Sequence, residues 1–307
     1  MFNFFDFKGG IIYILIFCCL QFLVAQNKQL EIKISNDKFV LQDKYYTNGI
    51  HLTYRQNLLN NFLLKKKQNE KLQLNISFGN ETYTPSNLNS FNVNDLDRPY
   101  AGWLFGKIEL AKIKHKSALF LAIESGITGE ESLAGKLQIA FHDLLNIDSK
   151  PTWVDEIAYK WLFNFKVSQV NDFQLNAWSN FQNEVTLSIG SKDTFLENNV
   201  YVFFGKINTF QNSSRIAAIA SNSSKEFFGF LGGGYKYVLL NTLIQGSPFK
   251  SNDPFTTIAE KHIFNLKFGG VLRTKRNFFK LEYNYNTKET PLSKSHAFGV
   301  FTFGFVL

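Results

Sequence analysis

HAFGVFTFGFVL, residues 296–307, closes the sequence. Ala297, Gly299, Phe301, Phe303, Phe305 and Leu307 fall on alternate positions. In an extended chain they share one face, because side chains alternate across a strand. The question is whether that face meets a protein core or a lipid.

The same period-2 pattern recurs along the sequence. It runs through LEIKIS (30–35), IHLTYRQN (50–57), KLQLNISFG (71–79), AGWLFGKIELAKI (101–113) and SALFLAIESGI (117–127). It continues in EIAYKWLFNFKVSQV (156–170), FQLNAWSNF (173–181), EVTLSIGS (184–191) and VYVFFGKIN (200–208). EFFGFLGGGYKYVLLN (226–241), HIFNLKFGGVLRT (262–274) and NFFKLEYNYN (277–286) lead to the terminal strand. A soluble β-sandwich or lipocalin-like barrel would also alternate. Aromatic residues make up 16% of the chain, with 34 Phe, and no run after residue 25 has the length and apolarity of a membrane helix. Alternation with this aromatic load predicts a transmembrane antiparallel β-barrel. Terminal strands of this kind mostly end in Phe; this one ends in Leu307. Bacterial single-chain barrels have an even number of strands, so about twelve are expected. The segment to give up is 200–208, which adjoins the polar stretch QNSSRIAAIASNSSK.

The N-terminus reads separately. IIYILIFCCLQFLVA (11–25) is the length of a signal-peptide core and short for a membrane span. Cleavage after Ala25 is expected, although Leu23 at the −3 position is not small. The mature chain, 26–307, is then one domain in the outer membrane. Cys18 and Cys19 leave with the leader, so no disulfide or cysteine metal site remains. The leader holds one Asp and one Lys, so the net charge stays at +8. That balance favours an anionic partner such as a phosphorylated lipid. Export argues against nucleic acid, and nothing points to an obligate protein partner.

One segment breaks the period. ESLAGKLQIAFHDLLNI (131–147) carries apolar residues at 133, 137, 141, 144 and 145, which is helical spacing. A short helix over about 132–146 is predicted, either in an extracellular loop or against the barrel wall. Counting strands from a periplasmic N-terminus puts the connections 36–48, 80–100 and 128–155 at one rim. Loops that converge on a rim are the usual place for a site.

Those loops hold the groups capable of chemistry. Asn36, Asp37, Asp43 and Thr47 are oxygen donors of the kind Ca²⁺ prefers; the same residues also build ordinary turns, Asn48-Gly49 above all. His142, on the helix, can act as a general base, though a lone helix histidine is more often simply packed. Gln138 lies one turn before it on the same face. Asp143, Asp155 and Glu156 are possible partners of the histidine, and Trp153 a packing or lipid contact. There is no Gly-x-Ser-x-Gly elbow, no Cys nucleophile and no zinc-spaced His pair.

SND (35–37) with YYTNG (45–49), YTPS (83–86), DRPYAGWL (97–104), Gln138-x-x-x-His142 and PTWVDEI (151–157) occur in this order. Together they resemble the lipid A deacylase family of outer-membrane proteins, the 3′-O-deacylases. The likeness is carried by residues 30 to 165, and DRPYAGW is its most specific piece. It implies a twelve-stranded barrel with its site between the wall and a short helix on the outer-leaflet side. It implies Ca²⁺-dependent hydrolysis of the 3′ acyloxyacyl ester of lipid A, by logic similar to phospholipase A2. Carried over, His142 takes a proton from water, Asn36 and Asp37 hold Ca²⁺, and Thr47 positions the metal shell or the substrate. Gln138, Trp153 and Arg98 are assigned to substrate. Family members can carry a basic pair after YTPS; here NLNSFNVN (87–94) has none, leaving Arg98 to meet a lipid A phosphate. Glu156 stands where many relatives have an amide. The competing readings are a non-catalytic lipopolysaccharide-binding, structural or channel barrel, and a serine-based outer-membrane phospholipase.

Overall fold

The computed structural model describes residues 28–42, 44–60, 63–144, 146–147, 151–220, 225–249 and 252–307. The leader, both cysteines and Asp43 lie outside the described residues.

Twelve antiparallel strands form a closed barrel. They are β1 (Lys28–Asn36), β2 (Tyr45–Leu58), β3 (Lys71–Thr84), β4 (Ala101–Ile113), β5 (Ser117–Ile127) and β6 (Trp161–Gln174). Then come β7 (Ser179–Gly190), β8 (Asp193–Lys206), β9 (Glu226–Asn241), β10 (His262–Arg273), β11 (Asn277–Asn286) and β12 (His296–Val306). Each strand pairs with its chain neighbours, and β1 closes on β12, with Ile34 opposite Phe301 and Asn36 opposite Gly299. Closure leaves no edge strand with unpaired amides.

The barrel is apolar outside and polar inside. On β3, Ile76 and Phe78 are exposed while Gln73, Asn75 and Ser77 are buried. Phe163, Phe165, Leu187, Ile189, Leu266 and Leu281 add to the outer band. In water this arrangement would be unstable; in lipid it is the one the hydrophobic effect selects. Among the described residues no helix is long and apolar enough to span a membrane; the strands cross it.

The expected strand count holds, but the segment to be given up was a different one. Residues 200–208 lie largely in β8, which extends back to Asp193. It is 173–181 that supplies no strand of its own: it straddles the hairpin from β6 to β7. Leu175 N–H donates to Ser179 O at 3.0 Å and Trp178 N–H to Asn176 Oδ1 at 2.9 Å, closing a tight turn. Its alternation came from the ends of two strands read as one. Residues 156–160 likewise belong to a loop, and β6 begins at Trp161.

Long connections gather at one end: 37–44, 85–100, 128–160, 242–261 and 287–295. In bacterial barrels that end is extracellular. The other end has three short turns, the connection 59–70 and the segment 207–225, whose described part folds into the lumen. Phe210, Ile216 and Ala218 pack on Ala111, Ile113, Ala118 and Val170. Lys71 Nζ donates to Gln211 O and Ile219 O at 2.9 and 3.1 Å. Arg215 Nη1 meets Asp172 Oδ1 at 2.5 Å. The described part of the segment thus lies inside the barrel at that end.

Candidate active site

The predicted helix forms as α1 (Ala134–Leu144), preceded by a 3₁₀ turn at Glu130–Ser132. Its orientation is the first fact of the site. The apolar row predicted from spacing, Leu133, Leu137, Phe141 and Leu144, points away from the barrel and is exposed. The buried row is Ala134, Gln138 and His142. A helix in water turns its apolar stripe inward; a helix lying on a barrel in lipid turns it outward. The two polar side chains are therefore pressed onto the wall.

α1 packs against β3 and β4. The contact requires Gly102, where a Cβ would sit 1.9 Å from Ser132 Oγ and 2.6 Å from Ala134 Cβ. Asn80 Nδ2 donates to Ser132 O at 2.7 Å and pins the root of the helix. Trp153 covers the helix from above. Its indole N–H donates to Gln138 Oε1 at 2.9 Å, and its ring packs tilted against Tyr100 at 5.2 Å between centroids.

The wall beneath the helix is polar. Outward positions of β3 read Leu74, Ile76, Phe78, Asn80, Thr82, Thr84, apolar in the lipid band and polar toward the loops. Thr47 joins this row through a β-bulge. The β2–β3 register slips between Tyr46 and Asn48, making Thr47 the extra residue, and its hydroxyl lies 2.7 Å from that of Thr84. Bulges re-aim a side chain where a regular ladder cannot. Thr82 and Thr84 escape a motif search, yet the change of their row from apolar to polar is visible in the sequence.

Asn36 ends β1 on the same outer face as Leu30, Ile32 and Ile34, opposite Asn48. Its side chain accepts from Lys38 N at 2.7 Å and caps the 3₁₀ turn Asp37–Val40. Asp37 is fully buried, and its Oδ2 accepts from Lys44 N at 2.6 Å. The structure thus brings Asn36, Asp37 and Thr47 to the outer wall at the extracellular end. It sets Gln138 and His142 on the helix face that covers the adjoining strands.

The family model described as "Outer membrane protein LpxR" matches residues 12–307. The chain belongs to the LpxR family. It is an outer-membrane protein, and this is the lipid A deacylase family that its motifs resemble. LpxR from Salmonella typhimurium is similar in structure, with a TM-score of 0.75 at 18% identity, covering 91% of this chain and all of that one. The β domain of the Bordetella autotransporter BrkA matches at a TM-score of 0.46 and 10% identity, covering 92% of this chain and 99% of that one. No curated protein sequence matches.

Arg98, the base of DRPYAGWL, lies on the other side of the wall. Its guanidinium sits 4.9 Å from the Tyr83 ring, which faces the lumen, and its Nη1 meets Glu289 Oε2 at 2.7 Å. Arg98 is 1% exposed. Burial acts to raise the Glu289 carboxyl, but the charges of Arg98, His296 and Lys236 and the Arg98 hydrogen bond together outweigh it and hold the group below its usual range. DRPYAGWL braces the barrel mouth: Asp97 accepts from Tyr45 Oη at 2.7 Å, and Thr290 Oγ1 donates to Asp97 O at 2.6 Å. Asp155 and Glu156 stand in the loop after α1. Burial, with the charges of Glu130 and Glu131, pushes the Glu156 carboxyl up to about 7.

Among the described residues no group of three or more His, Cys, Asp or Glu could hold a metal. The donors present are a buried carboxylate, an amide and hydroxyls, all oxygen. Oxygen donors of this kind fit a hard cation.

Proposed function

We propose that this protein hydrolyses the 3′-linked acyloxyacyl ester of lipid A in the outer leaflet. One observation carries the reading: α1 turns its apolar row to lipid and its His142–Gln138 row onto a polar patch of the outer wall. A membrane-exposed helix that turns its polar row inward holds two side chains able to do chemistry against the barrel wall. The helix lies at the loop end of the wall, the level of the lipid headgroups, so an ester near the headgroup could reach it without leaving the membrane.

In this reading His142 takes a proton from a water as it attacks the ester carbonyl, and returns it to the departing sugar oxygen. Asp37 and Asn36 would hold Ca²⁺, with Thr47 oriented by Thr84. A bound Ca²⁺ supplies positive charge for the developing oxyanion, a contribution of several kcal/mol in such sites. Gln138 and Trp153 line the substrate side. Arg98, already paired with Glu289, acts through the shape of the rim.

The packing of residues 210–219 inside the barrel speaks against the channel reading. Lipid A from cells expressing the protein, analysed by mass spectrometry, tests the proposal. Loss of one 3′ acyloxyacyl group is expected, abolished by chelation of Ca²⁺ and by His142→Ala. Unchanged lipid A from a folded barrel would leave a non-catalytic lipopolysaccharide-binding protein. Cleaved glycerophospholipids would indicate a phospholipase.

A further inference from the structure

Two buried polar atoms between α1 and the wall, Thr82 Oγ1 and Gln138 Nε2, have no hydrogen-bond partner. Thr82 is 0% exposed and its hydroxyl has no partner. Gln138 is 3% exposed; Trp153 engages its Oε1, and its Nε2 has no partner. Native folds seldom keep such groups without a reason.

Their placement supplies one. Thr82 pairs with Gly102 of β4, the residue on which α1 is seated, and with Asn48 of β2 on its other side. The preceding outward residue, Asn80, is used to hold Ser132, and the following one, Thr84, to hold Thr47. Within this row the missing partner is particular to Thr82. On the helix, Gln138 stands one turn from Ala134 and one turn from His142, so its free amide belongs to the same interface.

We infer that Thr82 Oγ1 and Gln138 Nε2 form a polar subsite for the oxygen-bearing head of the substrate's acyl chain. The amide nitrogen can only donate, which suits a carbonyl oxygen. The hydroxyl donates or accepts, which suits a second oxygen on the same chain. An acyloxyacyl group carries both; a plain acyl chain carries one. The inference rests on the cleft under α1 being the catalytic one. Thr82 is a specificity residue of that site.

The test uses the full chain in detergent and purified lipid A in mixed micelles. Thr82→Val keeps the shape and removes the hydroxyl. Its kcat/KM should fall about three- to tenfold, the range for one hydrogen bond, with Thr82→Ser close to wild type. Without lipid, the unfolding midpoint of T82V should equal or exceed that of wild type, because the fold loses no bond. Wild-type kinetics in T82V, or a lowered midpoint that marks a structural role, would overturn the inference. A wild-type protein that does not cleave lipid A would defeat the proposed reaction instead. Lipid A binding then decides the subsite: T82V binding as tightly as wild type removes it.

Discussion

Trp153 donates its indole N–H to Gln138 Oε1 at 2.9 Å and lays its ring over Gly135, where a Cβ would come within 2.9 Å of it. Through this bond the loop after α1 holds the polar row of α1 against the wall. Trp153→Phe keeps most of the ring packing and removes the donor, at about 0.5–1.5 kcal/mol. The expected result is faster hydrogen exchange in α1 and a several-fold loss of lipid A hydrolysis, with the barrel's own unfolding little changed. Unaltered exchange in α1 would show that the bond does not anchor the helix.

Arg98 is paired with Glu289 inside the mouth, and removing one partner leaves the other's charge poorly compensated. Arg98→Ala should destabilise the barrel by about 3 kcal/mol, the low end for a buried pair because Glu289 is 18% exposed. Urea unfolding in micelles measures it, and Arg98→Met with Glu289→Met should recover most of the loss. A normal unfolding curve with weakened lipid A binding would instead mean that Arg98 serves the phosphate.

Glu156 titrates at about 7, raised from 4.5 first by burial and then by Glu130 and Glu131. A raised folded-state value means that the folded protein favours the protonated form. The corresponding stability is full below pH 4.5 and is lost as pH rises through about 7. Wild type should therefore unfold at a lower temperature at pH 8 than at pH 5. Glu156→Gln should flatten that slope, and an equal slope in the variant would remove Glu156 as its source.

The segment 207–225 should keep the barrel from conducting. Wild type in planar bilayers is expected to be silent. Replacing residues 209–220 by a short Gly-Ser linker should open a polar lumen lined by Glu31, Lys33, Glu109, Glu184, Lys280 and Glu282. Stepwise conductance in wild type would contradict this.

Much of this was legible without coordinates. Alternation marks the strands because side chains on a strand point to opposite faces whatever surrounds it. The hairpin at 175–178 misled because two strand ends flanking a short turn preserve the alternation across it. The helix was legible from its 3.6-residue spacing, and counting strands placed Asn36, Asp37 and Thr47 at the same end of the barrel as the helix.

The direction of that helix was not legible. Spacing places Leu133, Leu137 and Phe141 on one face and Gln138 and His142 on another; it does not say which face meets protein. Nor does it show that Arg98 turns into the lumen while Thr82, close by in the chain, turns out. The sequence determined which residues share a face, since that follows from backbone geometry alone. Tertiary structure decided which faces meet, because barrel closure put lipid outside and charge inside and so reversed the usual sense of burial.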